Sequence, residues 1–373
     1  MKTKNLFLIG LTVLVVFGAF QVSRSKAPTM HVESALLYPA LLESINDVEA
    51  IEIANSAGKF RLSRQGEGWG MADRDGFPVQ PTAVRELLMQ LAALKIREEK
   101  TARPEQYATL GVDDLSTPKA SGLQVTVLGK ADAKQLDLIV GKARKTSGSE
   151  SPGHYVRRAG EAAALLVEGE LSVKLKRNEW VDTAIANIAV DRVRKVSLLP
   201  EGEAPVVVTK ADRKEQLFTL QDIPQGKEAK SAALVSNIGG LMLDLRFEDV
   251  ASAKQVEGLK PVRRAVLETF DGLVATLESF AVENRTLVSL RFEHQPAAAQ
   301  AEPAKPATTD STGKEQDTAA AAAPDVGKEV ASLNERTKPW VYQIADYKAR
   351  TLNRRFEELV KVKEKAPPPA TAD

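Results

Sequence analysis

The sequence predicts an α+β protein: two tandem, similar β-rich repeats, each with one or two amphipathic helices, preceded by a single transmembrane helix. Three observations lead there. An uncharged, mostly apolar run opens the chain. Short alternating apolar segments, separated by Gly- and Asp-rich turns, then read as strands. Finally, the order of those segments recurs: Val48, Ile51 and Ile53 return as Val193, Val196 and Leu198, each 145 residues later.

Lys2 and Lys4 precede the uncharged run Asn5–Ser23. A spanning helix needs about 20 mostly apolar residues. A cleaved signal peptide would end in small residues, and here Phe20, Gln21 and Arg24 occupy those places, with Ser23-Arg24-Ser25 the one weak site. The expectation is a retained anchor through residues 6–22 within a 1–30 leader segment. Lys2 and Lys4 nearly balance Arg24 and Lys26 across it. The first segment usually sets orientation, which places the long body outside the cytoplasm.

The first repeat is expected over 31–183. Leu41–Ile45 forms a short amphipathic element, Val48–Ile53 a strand, and Phe60 and Leu62 mark the next. Gly66–Gly70 and Asp73–Gly76 are turns. A helix runs from Pro81 to about Leu94, because Pro suits a first helical position and Val84, Leu87, Leu88, Leu91 and Leu94 share one face. Strands follow at Leu123–Val127, Leu136–Val140, Tyr155–Arg157 and Leu165–Val167, then a second helix from about Glu170 to Trp180. The second repeat, 184–363, runs through the same order. Its strands fall at Val206–Val208, Leu217–Leu220, Ala265–Leu267, Val274–Leu277 and Leu287–Phe292, and its helical stripe is Leu234, Ile238, Leu241 and Leu245. The helix ends, Leu94-Lys95-Ile96-Arg97-Glu98 and Leu245-Arg246-Phe247-Glu248-Asp249, are alike in type. Trp340–Tyr342 resembles Tyr155–Arg157, and a last helix over 346–360 matches the Glu170–Trp180 helix.

An Ala/Pro-rich insertion, 295–337, interrupts the second repeat and is expected to be disordered, as is the tail 364–373. Such compositions cannot bury enough apolar surface to offset the entropy of ordering them.

The composition narrows the function. Without cysteine there is no disulfide, thiolate metal site or Cys nucleophile. A net charge of +1 argues against nucleic acid as a partner. Gly141-Lys142 lacks the remainder of a phosphate loop, and Gly66–Gly70 is not a dinucleotide fingerprint. Asp73-Arg74-Asp75-Gly76 lacks the ligands that close a calcium loop. His31, His154 and His294 have no metal spacing. Asp113-Asp114 and Glu98-Glu99 are adjacent acids, Trp69, Trp180 and Trp340 read as core, and Arg192, Arg194, Lys195, Arg354 and Arg355 as a solvated face. No residue is nominated as catalytic, cofactor-binding or metal-binding, and no cofactor is expected.

In order, Leu36-Leu37-Tyr38-Pro39, Asp47–Ile53, Gly68-Trp69-Gly70-Met71, Asp75–Val79, Thr101–Pro104, Leu110-Gly111-Val112, Tyr155–Arg158 and Val167–Leu171 resemble the bacterial family catalogued as domain of unknown function 4340, over about residues 31–293. The resemblance implies a single-pass inner-membrane protein with a periplasmic body. It supplies no catalytic residue. It further implies an accessory or scaffold role beside ABC-type export permeases or gliding-auxiliary-like subunits. Alternatives from other classes are an envelope carbohydrate hydrolase, whose two carboxylates would stand about 5 to 10 Å apart, and a lipid- or ligand-binding module.

Overall fold

The computed structural model describes residues 35–144, 151–283, 285–295 and 325–363. The expected anchor at 6–22, the tail at 364–373 and most of the expected insertion lie outside them. Among the described residues, no helix is long and apolar enough to cross a membrane. The architecture is α+β with antiparallel sheets. The chain divides into two units: residues up to Lys59 with Thr82–Val173, and Phe60–Pro81 with residues from Lys174 onward.

In chain order come α1 (Pro39–Ser44), β1 (Ala50–Asn55), β2 (Gly58–Gln65), β3 (Gly68–Met71), β4 (Phe77–Val79), α2 (Pro81–Ala93) and β5 (Lys95–Thr101). Next are α3 (Tyr107–Leu110), β6 (Leu123–Leu128), β7 (Lys134–Ala143), β8 (Gly153–Arg158), β9 (Ala164–Glu168), β10 (Ala184–Ala186), β11 (Val193–Pro200), β12 (Val206–Thr209) and β13 (Thr219–Leu220). Then follow β14 (Lys227–Ala229), α4 (Ala232–Gly239), β15 (Leu245–Ser252), β16 (Arg263–Thr269), β17 (Leu273–Val282) and β18 (Arg285–His294). The chain closes with α5 (Val326–Thr337), β19 (Trp340–Ile344), α6 (Asp346–Leu352), α7 (Phe356–Leu359) and β20 (Val360–Val362).

In the first unit the strands pair antiparallel in the order β1-β6-β7-β8-β9-β5. Ile51, Ile53, Val125, Val127 and Leu138 are buried, as are the α2 residues Val84, Leu87, Leu88 and Leu91. The period of two in the strands and of 3.6 in the helix thus meet in one core. A single guanidinium ties the loops to this core. Arg157 donates to the carbonyls of Val112 (2.9 Å) and Glu161 (3.0 Å) and to Asp114 (2.7 Å), and it stacks on Tyr107. The outer edge of β5 is met by the chain preceding α1: Ile96 N–H donates to Ala35 (2.8 Å) and Leu37 N–H to Leu94 (2.8 Å). Arg158 donates to the Leu37 carbonyl at 2.9 Å.

The second unit holds the meander β2-β3-β4 and a sheet ordered β10-β15-β19-β18-β17-β16-β11-β12-β13. One face of this sheet is apolar, with Ala265, Leu267, Leu273, Ala275 and Leu277 buried. The other carries ion pairs, Arg264 with Glu278 and Arg194 and Lys195 with Glu268. Buried Lys348 donates to the carbonyls of Gly240 and Leu243 (both 2.7 Å), closing the end of α4. Desolvation lowers its pKa.

Several expectations are corrected. Residues 326–337 of the expected disordered insertion form α5, which Asp325 caps at Lys328 N–H. Asn334 explains why α5 packs on β18. Its side chain accepts from Phe292 N–H (3.0 Å) and donates to Phe292 C=O (2.7 Å), as a neighbouring strand would. Arg192 clamps the helix through a bidentate pair with Glu329 (2.9 and 2.8 Å) and a further bond to Asp271 (2.9 Å). The helix expected over 170–180 is absent, and the span contains only the 3-10 turn Arg177–Glu179. Leu171, Val173 and Leu175 alternate at spacing two, so no helical stripe exists to bury. The helix expected over 346–360 is two short helices, and Val360–Val362 leave it to pair with β14. Leu94–Glu98 and Leu245–Asp249, read as helix ends, instead open β5 and β15. The expected strand at 217–220 shrinks to β13.

Two outcomes follow. Arg157→Met leaves two carbonyls and Asp114 without their donor and should destabilise the protein by about 2–4 kcal/mol. Arg97→Met, which removes only an exposed pair with Glu168, should change stability by about 0.5 kcal/mol or less. Denaturant titration checks both. The second outcome concerns acid. Burial pushes Asp271 up, but hydrogen bonds from Thr269 and Arg192 outweigh it and hold the carboxyl below its ordinary value. The unfolded chain therefore binds the proton first. The contribution of Asp271 is complete above the unfolded pKa and is lost as pH falls through the folded one. Asp271→Asn should flatten the acid limb of the stability curve, measured by denaturant midpoints between neutral pH and about pH 3.

Candidate functional site

The most concentrated polar constellation in the described residues lies in the second unit, around the bulge in β15. Pairing with β19 slips between Phe247 and Asp249. A bulge adds a residue to one strand and re-aims the side chains that follow. Phe247 remains in the core, where its ring packs edge-on to Phe77 (centroids 5.3 Å apart) and stacks on Tyr342 (5.4 Å).

Asp249 meets Arg74, which the local sequence delivers on a tight turn. Residues Ala72–Arg74 form a 3-10 turn, Asp75 takes a left-handed backbone (φ 50°), and Gly76 N–H returns to Met71 C=O at 3.0 Å. Gly76 has φ 82°, a left-handed backbone that any other residue adopts only under strain. The turn places Arg74 over Asp249 in a two-point pair, Nε to Oδ1 at 2.8 Å and Nη2 to Oδ2 at 3.0 Å. Beyond the turn, Phe77 also packs on Trp340 at 4.9 Å. Asp73 accepts from Arg74 Nη1 (3.4 Å) and from Arg177 Nε (2.6 Å), and Arg285 stands 3.6 Å from Asp249. The bond to Asp249 raises Arg74 further above the guanidinium range.

Beside this network is a small concavity of about 210 Å³, counted out to open solvent, lined by Met71, Arg177, Asn178, Val181, Phe247, Glu248, Asp249 and Val250. Asn178 Oδ1 is buried without a donor among the described residues. Asp73 and Asp249 both accept from Arg74, which joins them in one network. What such an arrangement does chemically is hold an edge strand and a turn in register.

The residues singled out from the sequence are dispersed. Asp114 serves Arg157, and Glu98 pairs with Lys100 on its own strand. Arg354 pairs with Glu358, Arg355 with Glu203, and Lys142 donates to the Thr109 carbonyl. His154 starts β8 with Nδ1 buried and unpartnered among the described residues, and burial lowers its pKa. His294 ends β18, and His31 lies outside the described residues. Trp69 and Trp180 are buried and Trp340 is half-buried. Asp73–Gly76 is a turn, as expected, and it also presents Arg74 to Asp249, which no local pattern in the sequence signals. The available signal was the likeness of Leu245–Asp249 to Leu94–Glu98, which marks a shared local geometry.

Fold and site define an antiparallel α+β protein of two units in which Arg74, Arg157, Arg192 and Lys348 join separate segments. Residues 69–262, more than half of the chain, match the family described as domain of unknown function DUF4340, and the chain belongs to that family. No curated protein and no solved structure matches it.

The Arg74–Asp249 pair is about three-quarters buried, with side-chain exposures of 24% and 26%. A double-mutant cycle with Arg74→Ala and Asp249→Ala should return a coupling of about 1–2 kcal/mol, read from denaturation midpoints. Arg74→Lys should recover less than half of it, because an ammonium cannot make the two-point contact.

Proposed function

We propose that this chain is a non-catalytic, membrane-anchored envelope protein, built from two copies of one α+β unit, that serves as an accessory or scaffold subunit of an ABC-type export or gliding-auxiliary-like complex. In this reading residues 6–22 hold it in the inner membrane and the body is periplasmic.

The observation that carries the duplication is strand order. The first unit runs β1-β6-β7-β8-β9-β5, and the second contains β11-β16-β17-β18-β19-β15 in the same order. Edge protection repeats as well. Ile96 N–H donates to Ala35, and Phe247 N–H donates to Thr183. Arg158 holds the Leu37 carbonyl, and Arg336 holds that of Ile185 at 2.7 Å. The buried trio Val48, Ile51 and Ile53 corresponds to the buried trio Val193, Val196 and Leu198. Strand order pairs β19 with β9, one strand on from the match of Trp340–Tyr342 to Tyr155–Arg157. The scaffold role is supported by the use of the polar side chains. Arg157, Arg336 and Lys348 hold backbone carbonyls, while Arg192 and Arg74 hold carboxylates of other segments.

Membrane fractionation and in-cell crosslinking of the natively expressed, tagged protein test the reading. The expected result is a protein that stays with the membrane in alkaline carbonate, is digested by protease added to spheroplasts, and crosslinks through its body to permease or auxiliary subunits. A protein that is released by carbonate, or whose crosslinks join only copies of itself, would overturn it.

A further inference from the structure

Under the proposed duplication, which this inference rests on, β5 and β15 are the same strand in two copies. Leu94, Ile96 and Glu98 correspond to Leu245, Phe247 and Asp249, each 151 residues apart. Both strands bulge at the same place. Pairing slips between Ile96 and Glu98 in β5 and between Phe247 and Asp249 in β15. A bulge re-aims the side chains that follow it, and in both strands the residue after the slip is an acid.

The backbone edges are met alike, Ile96 N–H by Ala35 and Phe247 N–H by Thr183, but the side chains differ in what covers them. At β15, Phe77 packs on Phe247 and Arg74 takes Asp249 by two bonds. At β5, Ile96 is half-buried and Arg97, Glu98, Glu99 and Lys100 are exposed. The Glu98 side chain is 49% exposed, and its ion pair is with Lys100, two residues along the same strand. An exposed pair of that kind is easily exchanged for a better-placed cation. The acid and the apolar neighbour that receive Arg74 and Phe77 in one copy therefore stand at the surface in the other.

We propose that the side chains at the Ile96–Glu98 bulge of β5, whose backbone edge is already bonded to Ala35 at Ile96, form a docking site for a protein partner that presents an arginine three residues before an aromatic side chain, the spacing of Arg74 and Phe77. The arginine binds Glu98 and the aromatic ring covers Ile96. The argument is charge complementarity together with the occupied site in β15, whose occupant shows which chemistry this local geometry receives.

The probe is a synthetic peptide of residues 69–80 with a terminal fluorophore, titrated by anisotropy against the full chain in detergent. The expected result is saturable binding, weakened at least about tenfold by Glu98→Arg in the protein or by Arg74→Glu in the peptide, and regained when the two reversals are combined. Glu278→Arg, on the outer face of the large sheet, is the control and should leave binding unchanged. Absent binding, or binding indifferent to Glu98→Arg, overturns the proposal. Circular dichroism of Glu98→Arg, an exposed substitution, confirms that the variant is folded. An experimental structure separates the two readings. If both bulges are present but the peptide does not bind, the docking site fails and the duplication stands. If either bulge is missing, the duplication fails.

Discussion

The constraint on which this molecule depends is the open edge of an antiparallel sheet. Each terminal strand carries a row of N–H and C=O groups that water, another element or another protein will satisfy. The chain meets this with several small devices. Ala35 and Leu36 bridge the start of β5. The three-residue β10 does the same for β15. Where β18 runs on beyond its one paired position with β19, Val288 with Tyr342, the Asn334 amide stands in for a strand at Phe292. At the β15 bulge, Arg74 and Phe77 cover the side chains of Asp249 and Phe247. Each device follows from a local backbone event: a bulge, a left-handed residue at Asp75 or a helix capped by Asp325.

Arginine does most of this joining for a geometric reason. A guanidinium offers five donors in a fixed plane, so one side chain can serve carbonyls and carboxylates from different segments at once. Arg157 gathers Val112, Asp114 and Glu161; Arg192 gathers Asp271 and Glu329. Lysine serves where a point charge suffices, as Lys348 does between two carbonyls at the end of α4 and Lys210 between those of Val190 and Glu215. A chain with nearly equal numbers of acids and bases can place each buried cation beside an acceptor and leave the remainder on the outer sheet face.

The core was readable in the sequence because burial imposes a period. Val84, Leu87, Leu88 and Leu91 mark α2, and the expected strand Val274–Leu277 falls within β17. The site was less readable, because Arg74 and Asp249 are 175 residues apart and no local pattern joins them. The errors have the same root. Residues 326–337 have few large apolar residues and were grouped with the Ala/Pro-rich stretch before them; their order comes from Asn334, Glu329 and an N-cap, which composition does not weigh. The span 170–180 was read as helix although its apolar residues alternate. Leu94–Glu98 and Leu245–Asp249 are alike in sequence and both read as helix ends because each follows a helical stripe; β5 starts with one residue between it and α2, and β15 after the turn that follows Gly239.

The differences between the proposed copies carry information of their own. Beyond the bulge, Val250 and Ala251 in β15 are buried, whereas Glu99 and Lys100 in β5 are exposed. A strand that is always covered can accept Val and Ala there. A strand that spends time in water gains solubility and protection against stray pairing from Glu and Lys. The charges in Lys95–Lys100 thus argue against a permanent apolar cover and for an occupant that comes and goes. Specificity at such an edge has to come from one well-placed acid and one partly buried apolar neighbour, because the surrounding charges disfavour generic strand addition. Glu98 and Ile96 are that pair, and the bulge is what sets them side by side.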